Sequence, residues 1–136
     1  MDKDCIFCRI VSGEQKSNVV FQDDLVIAFL DQFPISDGHT LVIPKEHYID
    51  IHEISPEAMA RVAVVAKKLA DKYKKVLNCD GLNLVNNNSK MAGQGVFHYH
   101  MHVVPRYGSD KIRFNFHDFA NANADLGSVY KKIMKS

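Results

Sequence analysis

The sequence predicts an α+β domain with a largely antiparallel sheet, and three observations predict it. Strand-like apolar segments fall in two clusters on either side of one long amphipathic helix, in the order β-β-β-α-β-β. The first two strands are joined by a turn too short for any parallel crossover. The chain has 136 residues, 46% of them hydrophobic, which suits one domain with a core of its own from residue 1 to 136.

Each element has a local cause. Residues 5–11 (CIFCRIV) read as a short helix stopped by Ser12-Gly13. Residues 19–22 and 25–30 alternate or run apolar as strands, with Asp23-Asp24 as a two-residue turn. FPISDG is a loop broken by Pro34 and Gly38, and residues 39–43 form a third strand ended by Pro44. Ser55 is a helix N-cap, Pro56 suits the first helical position, and Glu57 favours the positive helix end. Behind them Met59, Val62, Ala63, Ala66, Leu69, Ala70, Tyr73, Val76 and Leu77 repeat at helical spacing, above a solvated lysine-rich face, until Asn78 and Gly81 stop the helix. Residues 82–86 are the fourth strand and NNSKMAGQG a polar loop. Residues 96–104 are the fifth strand, ended by Pro105. The remainder is irregular up to a closing helix at 125–134.

Composition excludes some functions. Seventeen Lys plus Arg against sixteen Asp plus Glu leave no basic field for nucleic acid or an anionic membrane. No apolar run approaches the ~20 residues of a membrane span, and MDKDCIFCRI lacks a secretory apolar core. Three cysteines, two in a C-x-x-C, suggest reduced or metal-bound thiols in the cytoplasm rather than disulfides.

The chemistry concentrates in FHYHMHVVPR, residues 97–106. On a strand His98, His100 and His102 project from one face, while Tyr99, Met101 and Val103 project toward the long helix. Three imidazoles at alternate positions span about 13 Å at ~3.3 Å per residue. That is too far for the outer pair to meet on one ion with bonds near 2 Å, so a catalytic His₃ metal is disfavoured and a division of labour favoured. Imidazole is a nucleophile toward phosphorus and titrates near neutrality. The loop Met91-Ala92-Gly93-Gln94-Gly95 just upstream offers backbone N–H groups to a phosphate.

His98-Tyr99-His100-Met101-His102-Val103-Val104 resembles the signature of the histidine-triad (HIT) family, His-φ-His-φ-His-φ-φ. CIFCRI, FLDQFPISDGHTLVIPKEH and AGQGVFHYHMHVVPR resemble its bacterial Hint-like branch over residues 4–107, with 108–136 as an extension matching less clearly. The resemblance implies a five-stranded antiparallel sheet with one long helix, extended across a homodimer. It implies cleavage of purine nucleoside phosphoramidates or dinucleoside polyphosphates through a nucleotidyl-histidine intermediate. His100 is then the nucleophile, oriented by the backbone carbonyl of His98, and His102 donates to phosphate oxygens. Asn87, Gln94 and Gly95 contact the phosphate side. Phe7, Ile10 and Phe29 sandwich an AMP-type base, and Asp31 takes the ribose hydroxyls. Gly95 stands where the family commonly has Ser or Thr, and offers only its N–H.

Cys5 and Cys8 are half a zinc site by spacing, with buried free thiols as the alternative. In the Hint-like relatives the other ligands are the equivalents of His47 and His98, which implies a closed, structural zinc. Cys79 is read as packed at the helix end. His39 is read as structural beside its strand, and His52 and His117 carry no assigned role. The reading from another class is a non-catalytic, zinc-stabilised nucleotide-binding adaptor.

Overall fold

The computed structural model describes residues 2–135. Its elements are α1 (Ile6–Ser12), β1 (Val19–Gln22), β2 (Val26–Leu30), β3 (Thr40–Pro44), α2 (Pro56–Val76), β4 (Gly81–Val85), β5 (Met101–Arg106) and α3 (Leu126–Met134). The five strands form one antiparallel sheet in the order β1-β2-β3-β5-β4. No helix is long and apolar enough to cross a membrane.

The central strands are buried on both faces, which explains their unbroken apolar runs. On one face Val26, Ala28, Val42, Tyr99 and Val103 pack against Val62, Val65, Ala66, Leu69 and Tyr73 of α2. On the other, Ile27, Phe29, Leu41 and Ile43 pack against Phe7, Cys8 and Ile10 of α1. Residues 98–103 keep the expected two-faced alternation, with Tyr99, Met101 and Val103 on the α2 side.

Several sequence expectations need correction. The fifth strand begins at Met101, not 96, because residues 97–100 bond outside the ladder: Tyr99 N–H donates to Tyr48 O (2.7 Å) and His100 O accepts from Asn86 Nδ2 (2.9 Å). Pro44 and Pro105 lie inside strands rather than after them. Pro44 outruns β5, whose pairing with β3 stops at Val42↔Met101, and Pro105 outruns β3, whose pairing stops at Thr40↔Val103. Neither ring therefore removes a needed ladder donor. The first turn takes in Leu25 as well: Asp23 Oδ1 accepts from Leu25 N–H and Val26 N–H (both 2.9 Å).

The long helix starts as expected, Ser55 Oγ accepting from Ala58 N–H at 3.1 Å. Its buried stripe is Ala58, Val62, Val65, Ala66, Leu69 and Tyr73. Met59, Ala63 and Val76 lie outside it and are exposed, because the sheet covers a narrower strip than the apolar spacing allows. Cys79 is half-buried beside this core, and His52 and His117 are exposed.

Candidate active site

One cleft of about 400 Å³ gathers Phe7, Ile10, Phe29, Asp31, Asn87, Gly95, His100 and His102 from five separate segments. His98 is absent from its wall, because its ring turns the other way, into a buried cluster with Cys5, Cys8 and His47.

His100 is almost fully buried, and its Nδ1 lies 2.7 Å from the carbonyl oxygen of His98. A carbonyl only accepts, so Nδ1 carries the proton and the Nε2 lone pair is left free. Burial is the largest influence on this ring and holds it below the ordinary imidazole range, with the His98 carbonyl and Asp31 pulling the other way. His102 is pushed down to about 4, by burial first and then by the neighbouring His100 and His39. Both rings are therefore neutral near pH 7.

His39, which the sequence leaves without a chemical role, controls the tautomer of His102. Ile35 N–H donates to His39 Nδ1 (3.2 Å), so the His39 proton sits on Nε2. That nitrogen lies 3.0 Å from His102 Nδ1, which must accept, placing the His102 proton on Nε2. The same reasoning disfavours a cation among Asp31, His39 and His102, close as they are, because the His39 nitrogen facing that point is the protonated one. The signal was present in the alternation: His39 shares the face of Leu41, which pairs with His102.

The polar loop is more selective as a donor than its glycines suggest. The N–H groups of Ala92, Gly93 and Gln94 are bonded to Ser89 or Lys90 carbonyls. Those of Gly95 and Val96, both on the cleft wall, have no partner among the described residues. Gly93 adopts φ +93°, a left-handed conformation that closes this turn. Gly95 has no such need, and a side chain there would meet nothing within 4 Å.

Gln94, expected among the substrate contacts, is not one of the residues lining the cleft. It is buried, its Nε2 donates to Ile49 O (2.7 Å) and Val96 O (3.0 Å), and its Oε1 accepts from Ser89 N–H (2.8 Å). It positions the loop, and both of its amide hydrogens are engaged within the chain. Asn87 has no such bonds and faces the cleft. Its neighbours Asn86 and Asn88, which the sequence reading passes over, brace the His100 backbone through a 2.6 Å side-chain bond between them. Asp31 Oδ1 accepts from Phe33 N–H (2.8 Å), and Oδ2 lies 3.6 Å from His39 Nε2.

In the second cluster Cys5 Sγ lies 3.4 Å from His98 Nδ1. Cys8 Sγ lies 3.3 Å from His47 Nδ1 and 3.6 Å from His98 Nδ1, and the two imidazole nitrogens are 3.2 Å apart. A tetrahedron with zinc–sulfur bonds near 2.3 Å and zinc–nitrogen bonds near 2.0 Å has edges of about 3.3–3.8 Å. His98 Nε2 lies 2.8 Å from Pro44 O, so it holds the proton and turns the Nδ1 lone pair to the thiols. Burial first, then the Cys5 sulfur, raises the Cys8 thiol. This donor set fits a closed Cys₂His₂ zinc.

The comparisons with known proteins agree with this geometry. The HIT domain family model matches residues 12–109. An uncharacterised HIT-like protein of Mycoplasma genitalium is 47% identical over 132 residues, 97% of this chain and 93% of its own. An adenylylsulfatase of Arabidopsis thaliana is 36% identical over 81% of this chain and 56% of its own length. Among solved structures, a Streptococcus mutans protein superposes with a TM-score of 0.91 at 40% identity, covering 99% of this chain and 86% of that one. A zinc-bound histidine-triad protein of Mycobacterium smegmatis gives 0.77 at 42% identity, over 82% and 81%. Fold, triad and family model converge, and the chain belongs to the HIT family.

Proposed function

We propose that the chain is a nucleotidyl hydrolase or transferase that cleaves purine nucleoside phosphoramidates or dinucleoside polyphosphates, with His100 as nucleophile. The observation that carries this is the 2.7 Å contact from His100 Nδ1 to the His98 carbonyl, which frees Nε2 on the ring that lines the cleft. Nε2 attacks the α-phosphorus, a P–N bond forms, and the bond from phosphorus to the leaving group breaks. The ring becomes an imidazolium, and the His98 carbonyl facing Nδ1–H stabilises that charge. His102 Nε2–H and the N–H groups of Gly95 and Val96 meet charge on the phosphoryl oxygens. Water then attacks the same phosphorus and gives up a proton to solvent; the new P–O bond replaces the P–N bond, so the nucleoside monophosphate leaves and Nε2 regains its lone pair. Asp31 takes the ribose hydroxyls, and Phe7, Ile10 and Phe29 hold the base.

Gly95 supplies no hydroxyl to protonate a departing group, so leaving groups that need no proton suit this site best. An adenylyl group on sulfate, carboxylate or phosphate meets that condition better than one on an amine, and the likeness to an adenylylsulfatase points the same way. The test is single-turnover mass spectrometry with an adenosine phosphoramidate and diadenosine tetraphosphate, quenched without acid. An added AMP mass on the peptide carrying His100 is expected. A protein that binds AMP but gives neither adduct nor turnover overturns the enzymatic reading.

The HIT core is read as 4–107, with 108–136 as an extension that completes a homodimer in the reducing cytoplasm. β4 is an open sheet edge with Leu84 47% exposed, and no residue of α3 is buried although Leu126, Val129, Tyr130, Ile133 and Met134 form an apolar stripe. Light scattering at micromolar concentration should give twice the chain mass, and Ile133→Asp should lower it. A wild-type monomer overturns the dimer.

A further inference from the structure

We infer that Ser17 reads the base: its hydroxyl hydrogen-bonds an edge atom of the purine held by Phe7, Ile10 and Phe29. This rests on the nucleotide reading above. Ser17 lies just before β1 and lines the same cleft as those three residues. Its Oγ is closed to water and has no hydrogen-bond partner. Ser36 Oγ and Tyr99 OH are buried without a partner as well, but of these three hydroxyls Ser17 is the one whose residue lines the cleft. An unpartnered buried hydroxyl is destabilising in the empty protein, and a ligand that satisfies it recovers that loss.

The backbone around Ser17 is held, since Leu30 N–H donates to Asn18 O at 3.0 Å, and Leu30 adjoins the ribose-side Asp31. The hydroxyl itself keeps one freedom, rotation about χ1 among three staggered positions. Around it the cleft is apolar, with Phe7, Ile10, Phe29 and Leu41 able to grip any flat ring without distinguishing its edges. Of the other polar side chains on the wall, Gln32 is exposed to solvent rather than buried against the base-holding residues, and the rest have work elsewhere. His100, His102, Asn87 and the Gly95 and Val96 amides serve the phosphate, and Asp31 serves the ribose. A hydroxyl both donates and accepts, so it engages adenine and guanine alike and rewards the presence of a purine edge without choosing between them.

The experiment is an NMR titration, which reaches millimolar Kd, of the full-length wild type and Ser17→Ala with AMP, GMP and the baseless ribose 5-phosphate. Ser17→Ala should weaken AMP and GMP by roughly fivefold to tenfold and leave ribose 5-phosphate unchanged. Ser17→Thr, which keeps the hydroxyl, should restore part of the loss. The melting temperature of Ser17→Ala should not fall, since no bond within the protein is broken. Equal AMP affinity in wild type and Ser17→Ala overturns the assignment. So does a loss of the same size for ribose 5-phosphate, which marks a general disturbance of the cleft. Wild-type protein that binds ribose 5-phosphate as well as AMP shows that no base is read and also brings down the purine reading.

Discussion

His100→Ala should lower turnover of an adenylate substrate by at least about a thousandfold, as loss of a nucleophile does elsewhere, while the protein still folds and binds AMP. The ring makes one hydrogen bond within the chain, to the His98 carbonyl, and its edge-to-face neighbours Phe7 and His102 are held by other contacts. Its removal therefore costs about 1–2 kcal/mol of stability, which a thermal melt will register as a shift rather than a loss of folding. Should His100→Ala fail to fold, His100→Gln keeps most of the volume and still has no nucleophilic nitrogen, so the same loss of turnover is expected. Turnover within tenfold of wild type in either variant rules out His100 as the nucleophile.

The pH profile offers an independent check on the same residue. The nucleophile works deprotonated, and burial lowers His100 from the ordinary imidazole value of 6.5. Below its pKa the ring is protonated and inert, so the acid limb of kcat/KM, which reports the free enzyme, should lie below pH 6.5. An acid limb at or above 6.5 contradicts a buried neutral nucleophile.

Much of this site was legible in the sequence, because its signals are local and periodic. The H-x-H-x-H alternation separated the two faces correctly even though residues 97–100 form no ladder: side-chain phase reports the face, not the hydrogen-bond partner. That is also why the sequence pattern starts the strand five residues early, at 96 instead of Met101. Ser55 and Pro56 marked the long helix because a cap acts within one turn. His39, Asn86 and Asn88 escape a reading of the sequence because their distant partners are His102, the His100 carbonyl and the Ile51 N–H, joined by pairing that no short window contains. Gln94 carries a local signal and a distant one at once. Its place beside Gly95 suggested the phosphate, whereas its partners Ile49 and Ser89 come from flanking loops.

The second large effect concerns the Cys5, Cys8, His47 and His98 cluster. Purified protein should contain about one zinc per chain, and a strong chelator should lower the melting temperature by about 10 °C or more. These four residues tie α1, the end of β3 and the segment before β5 to one point, so losing that tie releases α1 from the sheet. The consequences for the cleft follow from what each segment carries. Phe7 and Ile10 ride on α1, so KM for the nucleotide should rise. The His98 backbone carbonyl orients His100, so kcat should fall by a smaller factor than in His100→Ala. Acid should produce the same loss. Within the fold His98 is pushed down to about 4, mainly by burial, against an ordinary 6.5. The folded state therefore favours the neutral ring: its contribution is present above pH 6.5 and is lost as the pH falls toward 4. Cys5→Ser should reproduce the drop in melting temperature, and chelator should then have little further effect on it. A zinc-free protein with an unchanged melting temperature leaves the thiols as ordinary buried core residues. Immediate loss of all turnover on chelation, with the melting temperature intact, shows instead a metal that takes part in the reaction, against the geometry that turns His98 away from the cleft.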